Sequence, residues 1–179
     1  MINPSRLTLL AALLVLPGLS HAQGQPETLS LPADASIEMA IITPLTLDET
    51  TPSASDIIIH PVSEGSGSHA LPNYCVVTGD AQIDEGRLRV TTKEMTCIEA
   101  EGGNSAIFSG ELSAGAYDAD GNFGLPVCSD GSCELTPDDS FLLILSDAIA
   151  IEQQPNPSAE INAQRRQHGQ ESDSEGQSE

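Results

Sequence analysis

The chain has 179 residues, with 27 acidic side chains against 6 basic ones and a formal net charge of −21. Phosphate recognition needs a basic footprint, so this balance speaks against a nucleic-acid partner; it favours solubility, repulsion between copies, and a cationic or basic ligand. Aromatic residues make up only 3% of the chain, so a core has to be built from Ile, Leu and Val.

At the N-terminus, Arg6 precedes a largely apolar run from Leu7 to Leu16, a Pro17-Gly18 break, and Ser20-His21-Ala22 with small residues where a signal peptidase reads. That order predicts a cleavable secretory signal over residues 1–22; the alternative is an apolar helix packed into the fold. The apolar run is about half the ~20 residues a membrane-spanning helix needs, so no stable membrane insertion is expected. The first cysteine is Cys75, far from the cleavage site, which leaves no residue for a lipid anchor there. Cleavage removes one basic and no acidic residue, giving a mature charge of 5 − 27 = −22. The expected location is the periplasm or beyond it.

Residues 23–30 are mostly polar and read as a flexible lead-in. From 31 to 151, short apolar or alternating runs follow one another: Ile37 to Ile42, Ile57 to Val62, Cys75 to Val77, Leu88 to Thr92, Ala106 to Phe108, Phe123 to Val127 and Phe141 to Leu145. Each has strand length, and Gly, Pro, Asn or Asp separates nearly every pair. In Arg87-Leu88-Arg89-Val90-Thr91 the period of two places Leu88 and Val90 on one face and the arginines on the other. Ser63 to Ser68 reads as a loop. Phe141 to Leu145 is apolar throughout, which predicts a central strand covered on both faces. The pattern as a whole predicts an all-β fold, an antiparallel sandwich or small barrel.

Four cysteines in an exported chain predict two disulfides, although three connectivities are open. The simplest joins Cys75 to Cys97 and Cys128 to Cys133, the second clasping a Ser129-Asp130-Gly131-Ser132 turn. A zinc site would use the same thiolates, but paired Cys-x-x-Cys spacing is absent. The four residues between Cys128 and Cys133 also differ from the two of a thioredoxin-like redox motif.

Asp118-Ala119-Asp120-Gly121-Asn122 resembles the opening of a calcium loop, with Asp118, Asp120 and Asn122 as candidate ligands. Its glycine falls at the fourth position rather than the sixth and Ser129 stands at the twelfth, so an Asp-Gly hairpin turn accounts for the same residues without a metal. No Gly-x-Ser-x-Gly, His-Glu-x-x-His or phosphate-binding glycine loop occurs. Of the histidines left after cleavage, His60, His69 and His168, neither His60 nor His69 has a recognisable nucleophile or acid partner nearby in sequence, so no enzyme activity and no cofactor are expected. Residues 152–179 are largely Gln, Ser, Glu and Asn, the composition of a disordered acidic tail. Within it, Ser158 to Gln167 has some helical spacing but no apolar face, and Arg165 and Arg166 are a minor candidate for partner binding.

The stretch from Ala70 through Cys75 to Ala81, followed by Gly86 through Arg89 and Lys93 to Cys97-Ile98, resembles the TraB/TrbI family of conjugative type IV secretion scaffold proteins. Gly115 to Gly124, a strand pair closed by an Asp-Gly turn, is similar to the family's next segment. The run from Leu31 to Leu45 resembles the strand that opens its periplasmic β-domain. The likeness covers residues 31–125, with Leu135 to Leu145 as a possible closing strand. The family's inner-membrane helix, Pro-rich stretch and channel-forming insertion have no counterpart, so a pore is not implied. What the resemblance implies is an accessory or structural part of a conjugative transfer apparatus, binding periplasmic or outer-membrane secretion proteins through strand edges and the Arg87, Arg89 and Lys93 face. The same three cations also fit a solvated strand face balancing nearby acids. The reading that needs no protein assembly is a free-standing acidic module for a divalent cation or a basic ligand.

Overall fold

A computed structural model of the chain describes residues 27–101, 104–158, 160–162 and 164–166. The predicted signal peptide lies outside the described residues. The described chain is mostly β, with strands β1 (Thr28–Leu31), β2 (Ser36–Ile41), β3 (Leu45–Leu47), β4 (Ser53–Pro61), β5 (Cys75–Asp84) and β6 (Arg87–Glu101) in its first half. The second half adds β7 (Asn104–Glu111), β8 (Ala114–Tyr117), β9 (Cys128–Ser129), β10 (Ser132–Leu135), β11 (Ser140–Leu145) and β12 (Ile149–Gln154). Residues 157–158, 160–162 and 164–166 are helical.

Six strands close into an antiparallel barrel in the order β6, β5, β4, β2, β11, β8, with β8 returning to β6 at Thr91 opposite Gly115. Full closure leaves these strands no unpaired edge. The long β6 belongs to two structures at once. Its first half completes the barrel against β8, and its second half pairs with β7, which passes the sheet on to β12 and β1. Two strands therefore reach three residues into the segments 23–30 and 152–179 that read as flexible: β12 runs on to Gln154 and β1 pairs with it from Thr28. Their short runs alternate with polar residues and carry little signal on their own.

Between β7 and β8 the chain kinks to change partners, and Thr92 satisfies the polar groups this leaves over. Its hydroxyl donates to the Leu112 carbonyl at 2.5 Å and accepts the Ala114 N–H at 2.8 Å. Leu112 itself is fully buried. A second irregularity lies across β5, where the register shifts at Thr78/Gly79 and Lys93 is the extra residue on β6. A Cβ on Gly79 would run into the Thr91 backbone, so the close approach of the two strands requires glycine.

Inward positions supply the core as the period of two predicts. Ile37, Met39, Ile59, Val77, Leu88, Val90, Met95 and Leu143 are all at most 1% exposed. The β5–β6 hairpin turns at Glu85 and Gly86, with φ of 49° and 72°, and the β9–β10 hairpin at Asp130 and Gly131, with φ of 50° and 80°. Positive φ at both central residues is the turn that matches strand twist. Cys75 faces Cys97 across β5 and β6, Cys128 faces Cys133 across β9 and β10, and both pairs are disulfide-bonded. The small β3–β10–β9 sheet adds Leu47, Cys133 and Leu135 to the same core. Phe123 to Val127 is not a strand: its β-pairing is limited to single bridges, Tyr117 with Phe123 and Leu88 with Leu125.

Candidate functional site

Arg87, Arg89 and Lys93 lie on the outer face of β6, and each is engaged by the chain itself. The segment from Asp118 to Leu125 crosses β6 as a strap. Arg87 ion-pairs with Asp118 at 2.5 Å and donates to the Gly124 carbonyl. Arg89, with a side chain 13% exposed, stacks its guanidinium 4.7 Å from the centre of the Phe123 ring, donates to the Phe123 carbonyl and meets Asp84 at 3.3 Å. The Phe123 ring lies over Gly115, where any Cβ would strike it, and against Tyr117. Lys93, pushed out at the β6 bulge, bridges Asp80 at 2.7 Å and Asp56 at 3.1 Å. Those two carboxylates raise the Lys93 pKa, Asp80 first. A partner contact at these cations would have to share or replace the pairs that brace the strap and the bulge.

The calcium candidates are organised as a turn. Asp118 Oδ1 accepts the backbone N–H groups of Asp120 at 3.0 Å and Asn122 at 2.8 Å, and the Asn122 amide donates to both Asp118 oxygens. Gly121, with φ of 82°, supplies the reversal. Among the described residues no group of three or more His, Cys, Asp or Glu is placed to hold a metal ion.

The backbone N–H of Asn122, its side chain and the Arg87 guanidinium hold the Asp118 carboxyl down to about 2, against an ordinary value of 3.8. A carboxyl whose folded pKa is depressed stabilises the fold above its unfolded pKa and loses that contribution as pH falls through the folded value. The strap is therefore expected to loosen between about pH 4 and pH 2. NMR of the Asp120 and Asn122 amides should report a midpoint near 2, shared by the Phe123 ring and absent in Asp118→Asn. A midpoint at the ordinary carboxylate value would mean that these bonds do not hold the strap.

Beside the strap, between β2, β8 and β11, lies a cleft of about 340 Å³. Leu125, Leu135 and Phe141, all nearly buried, form its apolar floor, and Tyr117, Glu38, Asp118 and Asp139 stand at its rim. Glu38 accepts the Ser140 hydroxyl at 2.6 Å on one oxygen and the Ser66 hydroxyl at 2.7 Å, together with the Ser66 amide, on the other. These bonds lower its pKa, Ser140 first. Asp139 accepts the Thr136 hydroxyl at 2.7 Å and amide at 2.9 Å, which lower its pKa in the same way. Three carboxylates are thus held ionised around an apolar floor, and Arg87 is the one cation paired with any of them among the described residues. Ser140 also lines a neighbouring hollow that contains His60 and Asp138.

Sequence reasoning singled out Asp118 but missed Glu38 and Asp139, because nothing distinguishes them among 27 acids until the barrel brings β2 beside the β10–β11 loop. It also passed over the contact of Ser68 Oγ with His69 Nδ1, at 3.0 Å in the exposed loop after β4. The contacts described for His69 include no carboxylate, so the third member of a nucleophile triad is not assembled there. His60 Nδ1 lies 3.1 Å from the Pro61 carbonyl. Comparison with protein-family models finds none that matches the chain, and comparison with curated proteins finds no similar sequence.

Proposed function

We propose that this chain is an extracytoplasmic binding domain that acts without catalysis, and that its cleft takes a basic ligand presenting both a cation and an apolar group. The observation that carries the reading is the combination of an apolar floor with three carboxylates held in their ionised form. A Lys or Arg side chain next to an aliphatic or aromatic one fits both features. A bare divalent cation fits less well, because hydrogen bonds within the chain already occupy oxygens of all three carboxylates. Two disulfides and the predicted signal support a location outside the cytoplasm.

The narrower reading makes the basic ligand a segment of a secretion-channel or pilus-assembly protein, as the TraB/TrbI resemblance implies. It is favoured by the β-barrel built on the residues that carry the resemblance, with Cys75 and Cys97 bonded between its neighbouring strands β5 and β6.

Calorimetric titration with a short peptide containing adjacent Lys and Phe tests the cleft. Binding should weaken at least about tenfold in Glu38→Gln/Asp139→Asn and should fall with added salt. Affinity unchanged by the double substitution would sink the cleft reading. A photo-crosslinker placed at Ala119, on the cleft wall, would test the narrower reading in the native envelope: adducts with secretion-channel or pilus-assembly proteins support it, and recovery of the protein alone rejects it.

A further inference from the structure

We infer that the outward face of the sheet formed by β2, β4, β5, β6 and β7 is a docking surface for a protein segment that is apolar along its centre and basic at its flank. This surface is separate from the cleft, and the inference does not rest on the cleft's occupant.

The register brings the residues together. Ile42, just past β2, donates its N–H to the Ile58 carbonyl, and Ile58 lies opposite Thr78 on β5. Val76, two residues before Thr78, shares that face, and Tyr74 two further on accepts the Ile98 N–H of β6. Ile98 in turn lies opposite Ile107 of β7. The alternate positions, among them Ile59, Val77, Cys97 and Phe108, are buried in the core, so the stripe lies on the outside of the wall. It runs diagonally from the end of β2 across β4 and β5 to β6, as side chains on a twisted sheet do.

Ile42, Ile58, Tyr74, Val76 and Ile98 are 39–52% exposed. Among the described residues seven large hydrophobics are exposed to this degree, and five of them lie in this one stripe; the others are Phe123 in the strap and Ile161. Single exposed apolar residues need no explanation, but an aligned set marks an interaction site.

Charge selects the occupant. Glu94 and Glu111 stand directly opposite one another on β6 and β7, in the row that continues Ile42, Ile58 and Thr78. Both are exposed, and neither has an ion pair among the described residues. Like charges directly opposite across a ladder are unfavourable, and a cation seated between them reverses the sign of that interaction. Glu111 also shares a hollow of about 470 Å³ with Glu152 along the β7–β12 border. A second copy brings a net charge of −21 to the same edge and is repelled. A segment with an apolar ridge and flanking Lys or Arg matches both the stripe and its acidic border.

The test uses the full mature protein and a synthetic peptide of alternating Leu and Lys, titrated in 0.3 M salt so that unspecific attraction to an acidic protein is screened to about 6 Å. Ile58→Ser/Ile98→Ser and Glu94→Gln/Glu111→Gln are each expected to weaken binding at least about tenfold. Both sets are surface substitutions that leave the fold intact, which circular dichroism checks. Both sets are measured in a Glu38→Gln/Asp139→Asn background, which removes binding of the same peptide in the cleft, so a failure here is distinguishable from a failure of the cleft. Affinity unchanged by the stripe and border substitutions overturns the inference. So does self-association of the unliganded protein that Ile58→Ser/Ile98→Ser abolishes, which would assign the face to a second copy. Binding to phosphatidylcholine vesicles lost in the same variant overturns it in favour of a membrane.

Discussion

Replacing Cys75 and Cys97 together by alanine is expected to cost about 4 kcal/mol of stability, whereas the same change at Cys128 and Cys133 should cost about 2 kcal/mol or less. The first bridge closes a loop with a sequence separation of 22 and the second one of 5, and the loop-entropy term alone assigns about 3 and about 2 kcal/mol to them. The first also sits in the core: Cys75 and Cys97 are 1% and 0% exposed, so alanine leaves a void where two sulfur atoms were packed. Cys128 is only half-buried and its hairpin has a turn of its own, formed by Asp130 and Gly131. Against a typical total of about 5–15 kcal/mol, the loss at Cys75–Cys97 is a large fraction. Urea unfolding of the two double variants measures the difference. Equal losses, or a loss below about 1 kcal/mol for Cys75→Ala/Cys97→Ala, would show that β5 and β6 are held by their ladder and core alone.

The β5–β6 pair was the most legible part of the chain, because several local signals agree there. Leu88 and Val90 alternate with the arginines, Glu85-Gly86 turns tightly, and the two cysteines fall opposite one another. β8 was legible only through the Asp-Gly turn that follows it: Ala114-Gly115-Ala116-Tyr117 has no β-branched residue, and its glycine is needed for the Phe123 ring above it rather than for the strand. Phe123 to Val127 shows the opposite error. Its apolar residues look like a strand, but they are apolar because Phe123 caps Arg89 of β6 from outside and Leu125 is buried as part of the cleft floor. The strands reach three residues into each segment read as flexible, 28–30 in β1 and 152–154 in β12, because they bury little until they pair with each other and with β7.

Less of the candidate site could be read. Arg87, Arg89 and Lys93 were visible as the basic cluster, but their ion pairs reach Asp118, Asp84, Glu85, Asp80 and Asp56, and the strap and β4 bring in Asp118 and Asp56. Asp118 stood out because of the turn that follows it. The diagonal stripe was hidden for a geometric reason. Each strand contributes only one or two of its residues, and only the inter-strand register, with its shift at Thr78/Gly79, aligns them.

Leu143→Ala is expected to cost about 4 kcal/mol, near the upper end for a buried leucine. The cost depends on whether the surroundings can collapse into the space. Leu143 is fully buried at the middle of β11, which is bonded on one side to β2, with Ile37 opposite, and on the other to β8, with Ala116 opposite. Ala116 is too small to reach across the gap, and a strand bonded on both sides within a closed barrel cannot move inward without breaking one of its ladders. Leu142, the next residue, points the other way and lines the cleft, half-buried. Leu142→Ala should therefore cost about 1 kcal/mol in stability, in proportion to the smaller apolar area it covers. The two variants should also separate in binding: Leu142→Ala changes the cleft wall, whereas Leu143→Ala, under conditions where it remains folded, leaves the affinity for the Lys-Phe peptide unchanged. Equal losses of stability in chemical denaturation would mean that β11 is free to shift, and hence that the barrel is not closed between Thr91 and Gly115.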